Sequence, residues 1–270
     1  MGPTVQHGAM ERMQFTAEHL TRRPPSGIDV ETTLEHFAIL TYCVDPDVLQ
    51  GHLHPRYEPD CILDSGGLRR ALISVVPFLD LDFRFTGCPW PRFRFPQTNY
   101  RAYVTDTETG EHVAWFFGTS LDTPFVAIPH HIWKLPWHGG QIQLDARYDP
   151  QANRFKYYSL KTASKWAPAE LELEDSGEPI ADLQGFPDLE TALVLLTHPT
   201  KGVFYRRDGR LGSYSIWHDR LEMTRGSAIE ASFGLLDDLD LVPLGDLSSV
   251  HSVLMQKSTD FTIYLPPKLV

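Results

Sequence analysis

Apolar and polar positions alternate in short runs that come in pairs, each pair joined by turn-forming residues. In CILDSGGLRRALISVV, Ser65-Gly66-Gly67 separates two apolar runs, which predicts a hairpin with strands near 61–64 and 68–76. NYRAYVTDTETGEHVAWFFG repeats the design. Runs near 99–106 and 111–118 flank a TETG turn, and their Tyr, Val, Trp and Phe side chains suit a pleated strand. Two further hairpins are expected, at 141–160 around Asp149-Pro150-Gln151-Ala152-Asn153 and at 202–217 around Asp208-Gly209, where glycine tolerates left-handed turn geometry. HSVLMQKSTDFTIYL reads as a last strand, stopped by Pro266-Pro267.

Helices are fewer and are announced by caps. Asp45-Pro46 places an acceptor before a proline whose missing N–H costs nothing in a first turn, predicting a helix over 46–53. The same signal recurs at Asp122/Thr123 before Pro124 (helix to about 133), at Pro187-Asp188 (to about 197) and at Ser227 (to about 239). Hairpins and helices interleave without a βαβ rhythm, which disfavours parallel doubly wound sheets and TIM barrels. The expected class is α+β around mainly antiparallel sheet. The segment 161–186, with an acidic run, reads as a long excursion, and PWPRFRF (89–95) as a loop over a core edge. Residues 1–25 read as a flexible N-terminal extension and 26–270 as one domain.

Composition narrows the function classes. The 270 residues carry a net charge of −11, which repels a phosphate backbone or an anionic membrane. Neither nucleic acid nor membrane is an expected partner. The three cysteines form no CxxC pair, so no zinc knuckle or disulfide framework is suggested. With no signal-peptide pattern at the start and no apolar run of membrane-spanning length, a cytoplasmic location is expected. Seven lysines are present, the first being Lys134, so lysine-based nucleophilic chemistry has few places to be.

Several motifs invite chemistry. His52-Leu53-His54 with Glu58 resembles a first cupin motif, but no second motif supplies another ligand, and no metal or cofactor is expected. His130, His131 and His138 bracket IWKLPW without a GxSxG nucleophile elbow. Arg101 is different in kind. In the strand Asn99-Tyr100-Arg101-Ala102-Tyr103-Val104, odd positions share one face, so Arg101 lies beside Asn99 and Tyr103. If that face lines a concavity, the guanidinium needs an anion, which either the protein or a ligand can supply.

The order NYRAYV, WFFGTSLDTP, IWKLPWHGGQI resembles the acetoacetate decarboxylase-like superfamily, and more closely its uncharacterised branch, the domain of unknown function 2071 family. The matching positions are Gln97 to Val104, Ser120-Leu121-Asp122, Leu135-Pro136, and His251 to Leu254 with Tyr264 to Pro267. The resemblance covers roughly residues 30–270. It implies a cone-like antiparallel β-barrel with flanking helices and a buried polar pocket, and, by analogy alone, a homo-oligomer. The superfamily's decarboxylases form a Schiff base on a lysine just after the helix-ending proline. Trp137 and His138 stand there in this chain, and Gln97 stands where a glutamate is expected.

The expected function is therefore that of a pocket protein for a small anionic metabolite. It would act on a small oxo- or hydroxy-carboxylate by acid–base chemistry without a Schiff-base lysine. On this reading Arg101, which with Asn99 and Tyr103 matches the unknown-function branch, holds the anion, Gln97, Asn99 and Tyr103 orient it, and Trp133 and Trp137 form apolar walls. His138 is the expected acid–base group, because imidazole titrates near neutrality. The alternatives are a non-catalytic ligand-binding or sensory protein on the same fold and a metal-dependent cupin-like enzyme. Whether the protein is an enzyme stays open at this point.

Overall fold

The computed structural model describes residues 10–124 and 127–270. Its first half runs α1 (Ala17–Leu20), β1 (Val30–Val44), α2 (Pro46–Gln50), β2 (Tyr57–Pro59), β3 (Cys61–Leu63), β4 (Arg69–Phe85), β5 (Cys88–Asp106), β6 (His112–Leu121) and α3 (Ala127–Ile132). There follow β7 (Trp137–Gly139), β8 (Gln141–Asp149), β9 (Arg154–Ala163), β10 (Ala169–Pro179), α4 (Leu189–Thr197), β11 (Lys201–Tyr205), β12 (Leu211–His218), β13 (Thr224–Phe233), α5 (Gly234–Asp238) and β14 (Val250–Leu269).

Seven strands close into a ring in the order β1-β4-β5-β6-β11-β12-β14, with β14 pairing back onto β1. All neighbours in the ring are antiparallel except β6 and β11. A limb of β13, β10, β9 and β8 continues from β14 and packs against the outside of the ring. There Tyr42, Val75 and Tyr100 share a core with Tyr158, Leu171 and Phe233. The inward positions of the ring strands are left to line a cavity. This is a mostly antiparallel β-cone with few helices, as expected, though less regular than a closed barrel of uniform strands.

Most hairpins form where turn chemistry predicts them: β3–β4, β5–β6, β8–β9 and β11–β12. The short helix α2 begins after Asp45, whose carboxylate accepts from the Asp47 and Val48 amides. Asp188 caps α4 through the Thr191 amide at 2.8 Å. Of the helix expected from Pro124, residues 125–126 lie outside the described residues, as do residues 1–9 of the expected extension. Residues from Met10 onward pack on α4, with the Met13 amide donating to Thr191 Oγ1 at 3.0 Å. Among the described residues no helix is long and apolar enough to cross a membrane.

Three segments depart from expectation, each for a non-local reason. The helix expected over 227–239 is instead β13 followed by the short α5. Ala228 and Ala231 face Leu173 and Leu171 of β10, and that pairing overrides the Ser227 cap signal. The excursion at 161–186 contains β10 itself. Leu171 and Leu173 are buried while Glu170 and Glu174 are exposed, the alternation of a half-solvated strand. PWPRFRF forms the start of β5 against β4, with Phe93 opposite Phe83.

Gly118 is a steric requirement. A Cβ there would stand 2.7 Å from the Pro136 carbonyl and 2.7 Å from the Trp166 ring. The close approach lets the Thr119 amide donate to the Pro136 carbonyl at 3.0 Å, which seats residues 133–137 against the ring. Gly118→Ala should cost about 1–3 kcal/mol by overpacking and loosen Trp133 and Trp137. Denaturant unfolding followed by tryptophan fluorescence checks this, and an unchanged midpoint would show that the segment docks without needing the glycine.

Candidate active site

Every strand of the ring contributes to one internal cavity. Gln97, Asn99 and Arg101 face it from β5, as the odd-position alternation predicts, and Phe116 and Thr119 from β6. Trp133 and Trp137 line it from the segment seated by Gly118. Opposite stand Tyr214, Ile216 and His218 of β12 and Phe261, Ile263 and Leu265 of β14. The rest of the wall is mostly aliphatic and aromatic.

Arg101 is 7% exposed. Its Nη2 donates to the Leu196 carbonyl at 2.7 Å and to the Tyr103 hydroxyl at 3.3 Å, while its Nε is buried without a partner. Leu196 lies in the last turn of α4, so the guanidinium caps a helix C-terminus and meets the negative end of its dipole. Among the described residues no carboxylate pairs with it. A full cation facing only carbonyl and hydroxyl dipoles, beside a cavity, is poised for an anion.

Tyr103 stands behind Arg101 and does not line the cavity. Its hydroxyl donates to the Leu196 carbonyl at 3.0 Å, and so accepts from Ser74 at 2.7 Å. Ser74 in turn accepts from Thr41 at 2.8 Å. This buried relay fixes the rotamer of the arginine. On the cavity wall, Asn99 Oδ1 accepts from Gln97 at 3.0 Å and from Thr119 at 2.8 Å. Among the described residues no acceptor takes the Asn99 amide hydrogens.

His138 is not part of this wall. It occupies the opposite face of β7 from Trp137, and its ring stacks on Trp166 with centroids 3.9 Å apart. Burial lowers its pKa to about 4. His130 joins it outside the ring, bonded to the Trp137 carbonyl at 2.6 Å. Lys134 does not line the cavity either, and among the described residues no lysine does. His52, His54 and Glu58 do not converge: His52 Nε2 bonds the Leu239 carbonyl at 2.9 Å and His54 packs against Tyr57. Among the described residues no group of three His, Cys, Asp or Glu side chains could hold a metal.

The structure adds an ionisable group that periodicity alone does not single out. Asp80 of β4 lines the cavity at 2% exposure, and its Oδ1 accepts from Thr32 Oγ1 at 2.9 Å. Burial raises its pKa to about 7, opposed only by the Thr32 hydrogen bond. In VVPFLDLDF it is in phase with Val76 and Phe78, a polar residue on an apolar face, and that was the available signal. The ambiguity is Asp82, in the same phase. A break in the β4–β5 register after Asp80 turns Phe83 and Phe85 inward and leaves Asp82 paired with Arg92 at 3.2 Å. His218, also on the wall, has its pKa lowered to about 3, first by burial and then by His198.

A family profile of uncharacterized conserved proteins, DUF2071, matches residues 31–260. The chain belongs to the DUF2071 family. No curated protein matches it by sequence. Among solved structures, this DUF2071 chain is similar to acetoacetate decarboxylase from Legionella pneumophila, at 16% identity and TM-score 0.56, over 97% of this chain and 98% of that one. It is also similar to the enduracididine biosynthesis enzyme MppR complexed with pyruvate, at 15% identity and TM-score 0.58, over 92% and 91% of the two chains. A third neighbour is an acetoacetate decarboxylase-like enzyme from Sphingomonas wittichii, at 13% identity and TM-score 0.53, over 90% and 92%. At these identities the likeness establishes a shared fold.

Proposed function

We propose that this DUF2071 protein binds an oxo- or hydroxy-carboxylate inside the cone and transforms it by acid–base chemistry. Arg101 holds the carboxylate, and Asn99, supported by Gln97 and Thr119, orients it. Asp80, six residues along β4 from the position opposite Arg101, gives and takes the proton at an oxo or hydroxy group remote from that carboxylate. The observation that carries the reading is the buried Arg101 guanidinium on a cavity wall with, among the described residues, no carboxylate paired with it. The fold-level likeness to an enzyme holding pyruvate supports it.

Asp80 replaces His138 in the acid–base role because it reaches the cavity and titrates near neutrality, where a carboxyl group both donates and accepts. A Schiff-base route has no support, since among the described residues the cavity presents no lysine. Proton transfer, hydration or dehydration fits the groups present. The three free cysteines suit the reducing cytoplasm as its place of work. A non-catalytic binding protein is the second reading, favoured by the placement of the three histidines that bracket IWKLPW, His130, His131 and His138, off the cavity wall.

The test is a thermal-shift panel of 2-oxo, 3-oxo, hydroxy and aromatic carboxylates. A ligand at 100 times its Kd adds about 2.7 kcal/mol, a shift of roughly 5–10 °C for a protein of this size. If no carboxylate moves the melting temperature, the anion site is not one.

A further inference from the structure

Arg101 and Asp80 sit on neighbouring strands but far apart along them. Arg101 is opposite Ser74, whereas Asp80, six residues further along β4, is opposite Phe95. At about 3.3 Å per residue this is roughly 20 Å of sheet. The guanidinium is drawn further from Asp80 by its bonds to Tyr103 and Leu196. Between the two groups β4 presents Val76 and Phe78, and beyond Asp80 the wall continues as Phe83 and Phe85, with Ile263 and Leu265 across from them. A short acid held at Arg101 would reach neither Asp80 nor the partly exposed Phe85, Ile263 and Leu265 at the far end of the cavity.

We infer that the ligand is an elongated amphipathic carboxylate, its anionic head at Arg101 and a linear or aryl-tipped apolar body lying along β4 toward Phe85 and Leu265. The inference rests on the carboxylate reading above and adds the length and character of the molecule. Burial of the body supplies most of the affinity, and the single cation at one end sets its direction in the cavity.

Calorimetric titration of the intact protein tests this, with straight-chain carboxylates from acetate to dodecanoate, ω-phenyl acids, pyruvate, and the methyl esters of the longer acids. Affinity should rise about fourfold per added methylene, the equivalent of ~0.8 kcal/mol, until the cavity is filled. Leu265→Trp, at a partly exposed position, should bring that plateau to a shorter chain while leaving short acids unaffected. If this variant does not fold, Ile263→Phe serves the same purpose. A flat series, or pyruvate binding as tightly as the longest acid, overturns the elongated ligand and leaves the Arg101 anion site standing. Esters that bind as tightly as acids overturn the carboxylate reading and the inference with it, as does failure of every acid to bind.

Discussion

Asp80→Asn should raise the melting temperature at pH 8 and change it far less near pH 4. The Asp80 carboxyl has its pKa raised to about 7 in the folded protein, against an ordinary value of 3.8. Between those values the folded state binds more protons than the unfolded state, so stability falls as pH rises through that window. Above pH 7 the carboxylate sits ionised in a buried, mostly apolar wall. That rise in pKa corresponds to roughly 4 kcal/mol at most. Asparagine avoids the ionisation and keeps an oxygen for the Thr32 hydroxyl. The gain at pH 8 should therefore be several degrees, read by calorimetry at both pH values. In any assay with turnover, the same variant should lose about 10²–10⁴-fold in rate, the usual contribution of a positioned acid or base. Equal melting temperatures of variant and wild type at both pH values would show that Asp80 does not hold a proton in the neutral range. Unchanged turnover would favour the non-catalytic reading.

His218 and His138 act in the opposite sense. Their pKa values are lowered to about 3 and about 4 in the folded protein, so below about pH 6.5 the unfolded chain takes up their protons first and stability is lost as pH falls. Between about pH 4 and 6.5 Asp80 offsets part of this slope. Removing it with Asn should steepen the acid-side loss, which gives a second reading from the same pH series.

Arg101→Met should weaken carboxylate binding strongly without unfolding the free protein. Truncating one partner of a buried charge pair costs about 2–5 kcal/mol of binding, a loss of roughly 30-fold to several thousand-fold. In the unliganded protein the same substitution removes a buried cation that has only carbonyl and hydroxyl partners. Replacing such a charge with an apolar side chain of similar length is often neutral or stabilising. The expected signature is therefore a melting temperature equal to or above wild type, together with a ligand-induced shift reduced to about a third or less. Arg101→Lys should keep part of the shift, since it retains the charge and loses the planar fork. A variant that melts far below wild type with no ligand present would instead make Arg101 a structural cap of α4, and the anion site would need another cation.

The hairpin content of the fold was legible because a hairpin is a local object. Alternation over five or six residues and a Gly- or Asp-rich turn suffice to predict β5–β6 or β8–β9. The same alternation placed Gln97, Asn99 and Arg101 on one face, and these three do line the cavity. β13 was hidden because its partner β10 lies about fifty residues away, and its own Ser227 signal pointed to a helix. His138 was misleading for a related reason. Its neighbour Trp137 faces inward, and on a strand that sends the next side chain outward, but nothing in the local sequence marks residues 137–139 as a strand pairing with β6.

By itself the sequence determined which segments pair as hairpins, which face of β5 carries the polar groups, and the scarcity of lysine near the site. These depend on side-chain period and turn chemistry, whose range is a few residues. Only the tertiary structure decided that seven strands close into a ring, that Asp80 rather than Asp82 turns inward, and that α4 brings the Leu196 carbonyl to Arg101. It also decided that the remaining wall is a long apolar one. Ring closure, strand register and the irregularity after Asp80 are fixed by contacts between residues far apart in the chain, and a slip of one position in any of them would have sent a different set of side chains into the cavity.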